Sequence, residues 1–482
     1  MSTRIGRLSG LVLLLFAALF VNLNLIALVQ ADDLANHPAN RRVIVREYQI
    51  ERGPIIVDER AIARSIETDG ELRFLRTYPE GPLFAHLTGY YSVVLQRSGL
   101  EAALNEQLTG QPTEVVAQNL GELLGTRGQP GNSVELTISQ AGQQAARDAL
   151  AGREGAVVAL DPVTGAVLVS YANPTFDPNP LSSHSPGEIR AAWDEVRDDE
   201  RQPLVDRAIR ETYPPGSTFK IITAAAALES GLGPDSPFPD EAVYDVPQTT
   251  ANIGNLPASP CGRGGSISMQ DAFRFSCNPV FARLGVELGD RALIEQAEAF
   301  GFNRPPPYEL DVVASRIPQE LDPPQTAQSA IGQRDVRATP MQMALIAGAV
   351  ANGGELLRPH VVGRIRDPSG RQLSGPDSGR WTEGLLDGRA VSPRTAAQLQ
   401  QMMVEAVERG TGGAARIDGV RVGGKTGTAQ RGATPDAWFV GFAEDRIAIA
   451  VVIPDAGEGA TGGRAAAPVA RQVMVALLGA DA

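Results

Sequence analysis

Tyr213-Pro-Pro-Gly-Ser-Thr-Phe-Lys220, running into the apolar Ile221–Leu228, is the stretch from which the rest of this 482-residue sequence can be read. Pro-Pro-Gly makes a stiff turn, and the run behind it predicts a helix from Ser217 to Leu228. Positions three apart on a helix share a face, so Ser217 Oγ and Lys220 Nζ can meet. The helix N-terminus adds unpaired N–H groups and a partial positive charge. A serine hydroxyl is a poor nucleophile until a base takes its proton. Lys220 can serve if burial and a nearby cation lower its pKa from about 10.4 toward 7.

Of the 43 basic residues, only Lys220 and Lys425 are lysines. Arginine keeps its proton near neutral pH, whereas a desolvated lysine can lose one, so both lysines are candidates for chemistry. The second opens Lys425-Thr426-Gly427-Thr428, whose flanks predict an edge strand. There Lys425 and the hydroxyls of Thr426 and Thr428 would bind a carboxylate, and Gly427 would let a ligand approach the backbone. An extended peptide would pair with the strand. A third element, Ser276-Cys277-Asn278, means little alone. Beside Ser217 and Lys220, Ser276 would pass a proton to a leaving amine, and Asn278 would hydrogen-bond a substrate amide.

One rival fits the same residues. Gly419-Val-Arg-Val-Gly-Gly424-Lys425-Thr426 satisfies the phosphate-loop pattern. Such a loop needs a buried strand before it and a helix after it. Gly412–Asp418 does not read as the strand, and Gly427, Gly432 and Pro435 forbid the helix.

The formal net charge of −13 argues against a nucleic-acid partner. Arg4 and Arg7 precede a mostly apolar run, Leu8–Val29, long enough for a membrane anchor. The alternative is a signal peptide cleaved near Val29-Gln30-Ala31; both readings export the rest of the chain, and the uncleaved anchor is favoured. In an oxidising compartment Cys261 and Cys277 are candidates for a disulfide, the alternative being two unrelated buried thiols. The four histidines show no metal-ligand spacing, so no metal or cofactor is expected.

Three segments emerge: a cytoplasmic tip and transmembrane anchor (1–32), a small α+β module (33–150) suited to support or protein contact, and a catalytic region (151–482). In the module, 36–50, with its alternation over Arg42–Ile50, reads as a strand, 83–126 as helical, Ser133–Ile138 as a strand and Gln140–Ala151 as a helix. In the catalytic region, Gly155–Leu160 and Ala166–Tyr171 form a hairpin, and 173–206 is a polar stretch. Trp438–Phe442 pairs with Ile447–Ile453, and 465–478 is a helix. Strands at both ends of this region, with helical sequence between them, suggest an antiparallel sheet covered by helices, an α+β arrangement.

The three motifs, in this order, resemble those of the penicillin-binding protein and serine β-lactamase superfamily. Arg52-Gly-Pro-Ile55, Gly89-Tyr-Tyr-Ser92, Tyr213–Lys220 and Lys425–Gln430 narrow the likeness to class B penicillin-binding proteins, and the Ser-Cys-Asn centre to the penicillin-binding protein A group of actinobacteria. The resemblance implies a transpeptidase fold and acylation of Ser217 by the acyl-D-Ala-D-Ala end of a stem peptide. Transfer to an amine acceptor follows, and the N–H groups of Ser217 and Thr428 form the oxyanion hole. It also implies covalent capture of β-lactams, a membrane location with the catalytic domain outside the cytoplasm, and contact with a membrane glycan polymerase and division or elongation proteins. It implies neither a glycosyltransferase module ahead of the catalytic region nor repeats after it. A D,D-carboxypeptidase or β-lactamase would deliver the acyl group to water; a non-catalytic β-lactam receptor would keep Ser217 without turnover.

Overall fold

An unbroken apolar run such as Gly155–Leu160 suits a strand buried on both faces, and the computed structural model shows one. The structure describes residues 2–28, 45, 47–110, 130–255, 257–382, 388–431 and 434–479. Helix α1 (Ser2–Leu28) contains a segment, Gly6–Ile26, long and apolar enough to cross a membrane. Strands β1 (Ile55–Val57), β2 (Arg60–Glu67), β3 (Phe74–Thr77) and β4 (Ser133–Leu136) follow, then helix α2 (Gln140–Leu150) and the hairpin of β5 (Gly155–Leu160) and β6 (Val167–Asn173). Helices α3 (Lys220–Glu229), α4 (Met269–Arg274), α5 (Asn278–Leu288) and α6 (Pro340–Ala351) come next. After strands β7 (Val362–Arg366) and β8 (Gln372–Ser374) come helix α7 (Pro393–Glu408), strands β9 (Val422–Arg431), β10 (Thr434–Ala443) and β11 (Ile447–Ile453), and helix α8 (Gly462–Leu478).

The central sheet runs β9-β10-β11-β5-β6 and is antiparallel throughout. Leu160 and Ala448 are cross-strand partners, and Gly348 of α6 lies against both side chains. Val169, the partner of Ala159, faces the other way and meets Gly142 of α2. Helices therefore cover both faces, which is why β5 and β11 are buried along their whole length. Each fully buried Val or Ile there contributes roughly 1.5–3 kcal/mol, so a charge at Val451 would break the sheet at its middle. β9 lies at the edge, as its glycines suggested.

A second sheet has the order β8-β7-β4-β1-β2-β3. Its β7 and β8 come from far along the chain, with Ile365 opposite Val134, so this sheet draws strands from both sides of residue 150.

Two local expectations fail here. Glu47–Ile50 turns back, with Ile50 N–H donating to Glu47 O, where a strand was expected across 36–50; residues 36–44 and 46 lie outside the described residues. Tyr48 is drawn inward to stack on Tyr91, ring centroids 4.6 Å apart. The helical reading of 83–126 holds only in pieces, at Gly81–Thr88, Gly99–Ala103 and Asn105–Thr109. Gly89, at φ +66°, breaks the first helix where a Cβ would meet Ser98 O at 2.2 Å, and 111–126 lies outside the described residues. The polar stretch 173–206 contains a helix, Pro186–Asp198, capped by the Ser185 hydroxyl.

Candidate active site

The helix expected from Ser217 begins instead as a 3₁₀ turn, Gly216–Phe219, with α3 starting at Lys220. A 3₁₀ turn eclipses positions three apart, so Ser217 and Lys220 share a face more closely than on an α-helix. The turn is pinned from several sides. Gly216, at φ +53°, donates its N–H to Gly332 O at 2.9 Å, and Trp438 Nε1 of β10 donates to Pro214 O at 3.0 Å. A Cβ on Gly427 would stand 2.7 Å from Pro215 O, and one on Gly216 would stand 3.1 Å from Thr428 O. Gly427 thus lets edge strand β9 press against the Ser217 turn; the close neighbour it accommodates is the protein's own backbone.

Ser217 is half-buried, whereas Lys220 and Lys425 are completely buried. Lys220 Nζ donates to Ser276 O at 2.7 Å and Asn278 Oδ1 at 2.8 Å, and lies 3.4 Å from Ser276 Oγ. Among the described residues no hydrogen bond joins it to Ser217 Oγ. A neutral amine has two N–H groups and one lone pair. The two strong acceptors use the N–H groups and leave the lone pair for a hydroxyl. Lys425 Nζ bonds Ser276 Oγ at 2.8 Å and Thr426 O at 3.0 Å, so the Ser276 hydroxyl bridges two lysines 205 positions apart in a single contact. Among the described residues neither lysine has a carboxylate partner. Burial, and then the Lys425 charge, push the Lys220 amine well below the ordinary lysine range; burial brings Lys425 down to about 7.

Ser276 owes its position to the end of α4. Its N–H donates to Phe273 O and that of Cys277 to Ala272 O, the two bonds of a Schellman cap. The cap's left-handed position normally takes glycine, yet Ser276 occupies it at φ +64°. Asn278 then opens α5, its Nδ2 donating to Gly254 O at 3.1 Å and its N–H to Asn255 Oδ1 at 2.9 Å. With Oδ1 on Lys220, one amide N–H remains for a substrate. Cys277 is joined to Cys261 in a disulfide, Cα atoms 6.0 Å apart.

On β9, Thr426 Oγ1 lies 2.7 Å from Thr411 Oγ1, and Thr428 Oγ1 accepts the N–H of Gly462, the first residue of α8, at 3.3 Å. All eight site residues read from the sequence therefore converge on the ground between the Ser217 turn, the α4–α5 junction and β9. Asn255, Gly254 and Thr411, which touch Asn278 and Thr426, were not picked out, since they meet those residues from 15 to 24 positions away and no local pattern announces such contacts. Among the described residues no group of His, Cys, Asp or Glu is arranged to hold a metal.

The penicillin binding protein transpeptidase domain matches residues 155–475, and the penicillin binding protein A dimerisation domain matches residues 52–134. The peptidoglycan D,D-transpeptidase PbpA of Mycolicibacterium smegmatis is 38% identical over 494 residues, covering 99% of each chain. The PbpA of Mycobacterium tuberculosis matches to the same extent. A solved structure of penicillin-binding protein A from M. tuberculosis, as a ceftriaxone acyl-enzyme complex, superposes with a TM-score of 0.84 at 38% identity, covering 90% of this chain and 100% of that one.

Proposed function

The chain belongs to the penicillin-binding protein transpeptidase family and is a peptidoglycan D,D-transpeptidase, and from that premise we propose that it works through an ester on Ser217. Neutral Lys220 takes the Ser217 proton as Oγ attacks the carbonyl carbon of the penultimate D-Ala of a stem peptide. The N–H groups of Ser217 and Thr428 receive the oxyanion, each such donor being worth ~10²–10³ in rate. The C–N bond to the terminal D-Ala breaks, and Ser276 relays the proton from Lys220 to the leaving amine. An amine of a neighbouring stem then attacks the ester, returns a proton along the same path and forms the cross-link, freeing Ser217. Lys425, Thr426 and Thr428 hold the terminal carboxylate, and the remaining N–H of Asn278 holds a backbone carbonyl of the donor, which lies along β9 beside Gly427. A β-lactam enters by the same step, but its leaving amine stays tethered and the acyl-enzyme persists.

The observation that carries this reading is that Lys220 is fully buried, beside a second lysine and without a carboxylate among the described residues. A charge kept there has nothing to balance its desolvation, so the neutral, basic form is favoured. The test is exposure to a fluorescent penicillin with intact-mass mapping of the adduct. Wild-type protein should carry one adduct on the Ser217 peptide, and Ser217→Ala none; an adduct persisting on Ser217→Ala would refute the nucleophile.

Helix α1 supports single-pass anchoring in the cell membrane, with the catalytic domain on the outer side as the substrate requires. Residues 33–150 serve as a pedestal before the transpeptidase region at 151–482. Together with the anchor they offer a surface for a membrane glycan polymerase and for division or elongation proteins.

A further inference from the structure

Asn278 is held by two consecutive residues of another segment. Asn255 Oδ1 accepts its N–H at 2.9 Å, and Gly254 O accepts its Nδ2 at 3.1 Å. The first N–H groups of a helix have no intrahelical partner, so the Asn255 oxygen fills a vacancy at the start of α5. Asn255 is itself fixed: its Nδ2 donates to Ser259 O at 2.8 Å and its N–H to Ala242 O at 3.2 Å. Those bonds fix which end of its amide faces Asn278. Gly254 closes the strand Asn252–Gly254, which pairs with Val243–Asp245. Farther along, the buried Asp240 carboxylate accepts the N–H groups of Cys261, Gly262 and Gly264, each at 2.9 Å, and Cys261 is bonded to Cys277.

The consequence lies at Lys220. A carbonyl oxygen only accepts, so Gly254 O requires Nδ2 to face it and turns Oδ1 of Asn278 toward Lys220. Half a turn of that amide would set N–H groups against the amine's own N–H groups and misdirect the lone pair. We infer that Asn255 is a positioning residue for acylation: its Oδ1 holds the backbone N–H of Asn278 and so sets where the Asn278 side chain, its amide turned by Gly254 O, meets Lys220, an inference that rests on the Ser217–Lys220 reading. Among the described residues Asn255 makes no bond to β9, where the ligand carboxylate is held, so its loss should fall on the rate of the step more than on binding, which it touches only through the spare N–H of Asn278.

The experiment follows acylation of the full chain by a fluorescent penicillin over a concentration series. Asn255→Ala should lower the rate constant at saturation about tenfold, the scale of one lost hydrogen bond, with the half-saturating concentration within about twofold of wild type. Asn278→Ala should cost at least as much, and the double variant should be no slower than Asn278→Ala, because alanine keeps the backbone N–H that Asn255 holds but lacks the side chain through which that bond reaches Lys220. A native rate for Asn255→Ala, a change confined to half-saturation, or losses that multiply in the double variant would overturn the inference. Ser217→Ala, run alongside, separates the two readings: silence there with a native Asn255→Ala rate sinks only the positioning role, whereas labelling there removes the nucleophile and the inference with it.

Discussion

Arg52 and Arg76 are buried almost as deeply as Lys220 and Lys425, but the two cationic pairs are built differently. The arginines share one fully buried acid: Arg52 Nη2 meets Glu101 Oε2 at 2.7 Å, and Arg76 Nε meets Oε1 at 2.6 Å. The Arg52 guanidinium also lies 4.3 Å from the centre of the Tyr91 ring. Burial pushes the Glu101 carboxyl up, but the Arg76 and Arg52 guanidiniums outweigh it and hold the acid below the usual carboxylate range. The lysines share a hydroxyl, that of Ser276, and no acid among the described residues. A guanidinium stays charged, so with a carboxylate it makes a permanent strut; an amine without one can release and recover a proton. The first pair ties Arg52, ahead of β1, and Arg76 of β3 to the helix Gly99–Ala103, and the second is left able to exchange a proton.

That contrast can be broken most sharply by exchanging the cation. Lys220→Arg keeps the charge but cannot accept a proton, and penicillin acylation should fall by roughly 10²–10⁴, read by stopped-flow labelling. Near-normal acylation would mean that charge, not basicity, is what the site uses. Glu101→Gln attacks the other pair. It leaves two buried guanidiniums without an anion and should cost on the order of 3–5 kcal/mol in denaturant unfolding, with the acylation rate of the remaining folded protein unchanged. A coupled loss of acylation would show the two regions to be one functional unit.

The pH dependence sharpens the comparison further. Lys425 is brought down to about 7, so it loses its charge as pH rises through that value. Binding of a penicillin carboxylate should then weaken by up to about tenfold per pH unit, and Lys425→Arg should flatten the profile. On the acid side, acylation should fall as Lys220 regains its proton at its lowered pKa. The smallest change in stability is expected at Ser276→Gly. Relief of a left-handed serine should raise stability by about 1 kcal/mol in thermal or denaturant melts, while the lost hydroxyl slows acylation. A melt that falls would mean that the bridge to the two lysines outweighs the backbone strain.

Much of this was legible in local sequence. Gly155–Leu160 and Ile447–Ile453 read as strands because unbroken apolar runs suit burial on both faces, and β9 read as an edge because of its glycines. Arg42–Ile50 misled because alternation marks a strand only when the alternate residues have a sheet to face, and Tyr48 instead stacks on Tyr91. The stripe at 100–108 is buried at Leu100, Leu104 and Leu108 as its period required, but Gly89 sets the break that precedes it.

The sequence by itself determined which residues are candidates for the chemistry, since a serine, two scarce lysines and their motif neighbours stand out by type and spacing. What only the tertiary structure decided is their protonation and aim. Lys220 and Ser276 lie 56 positions apart, and Ser276 and Lys425 lie 149 apart. Amine basicity depends on what surrounds the nitrogen in three dimensions: the exclusion of water, the nearby second cation and the carbonyls that take its protons. No stretch of chain encodes that surrounding locally; it exists only once the Ser217 turn, the α4–α5 junction and the edge strand have packed together.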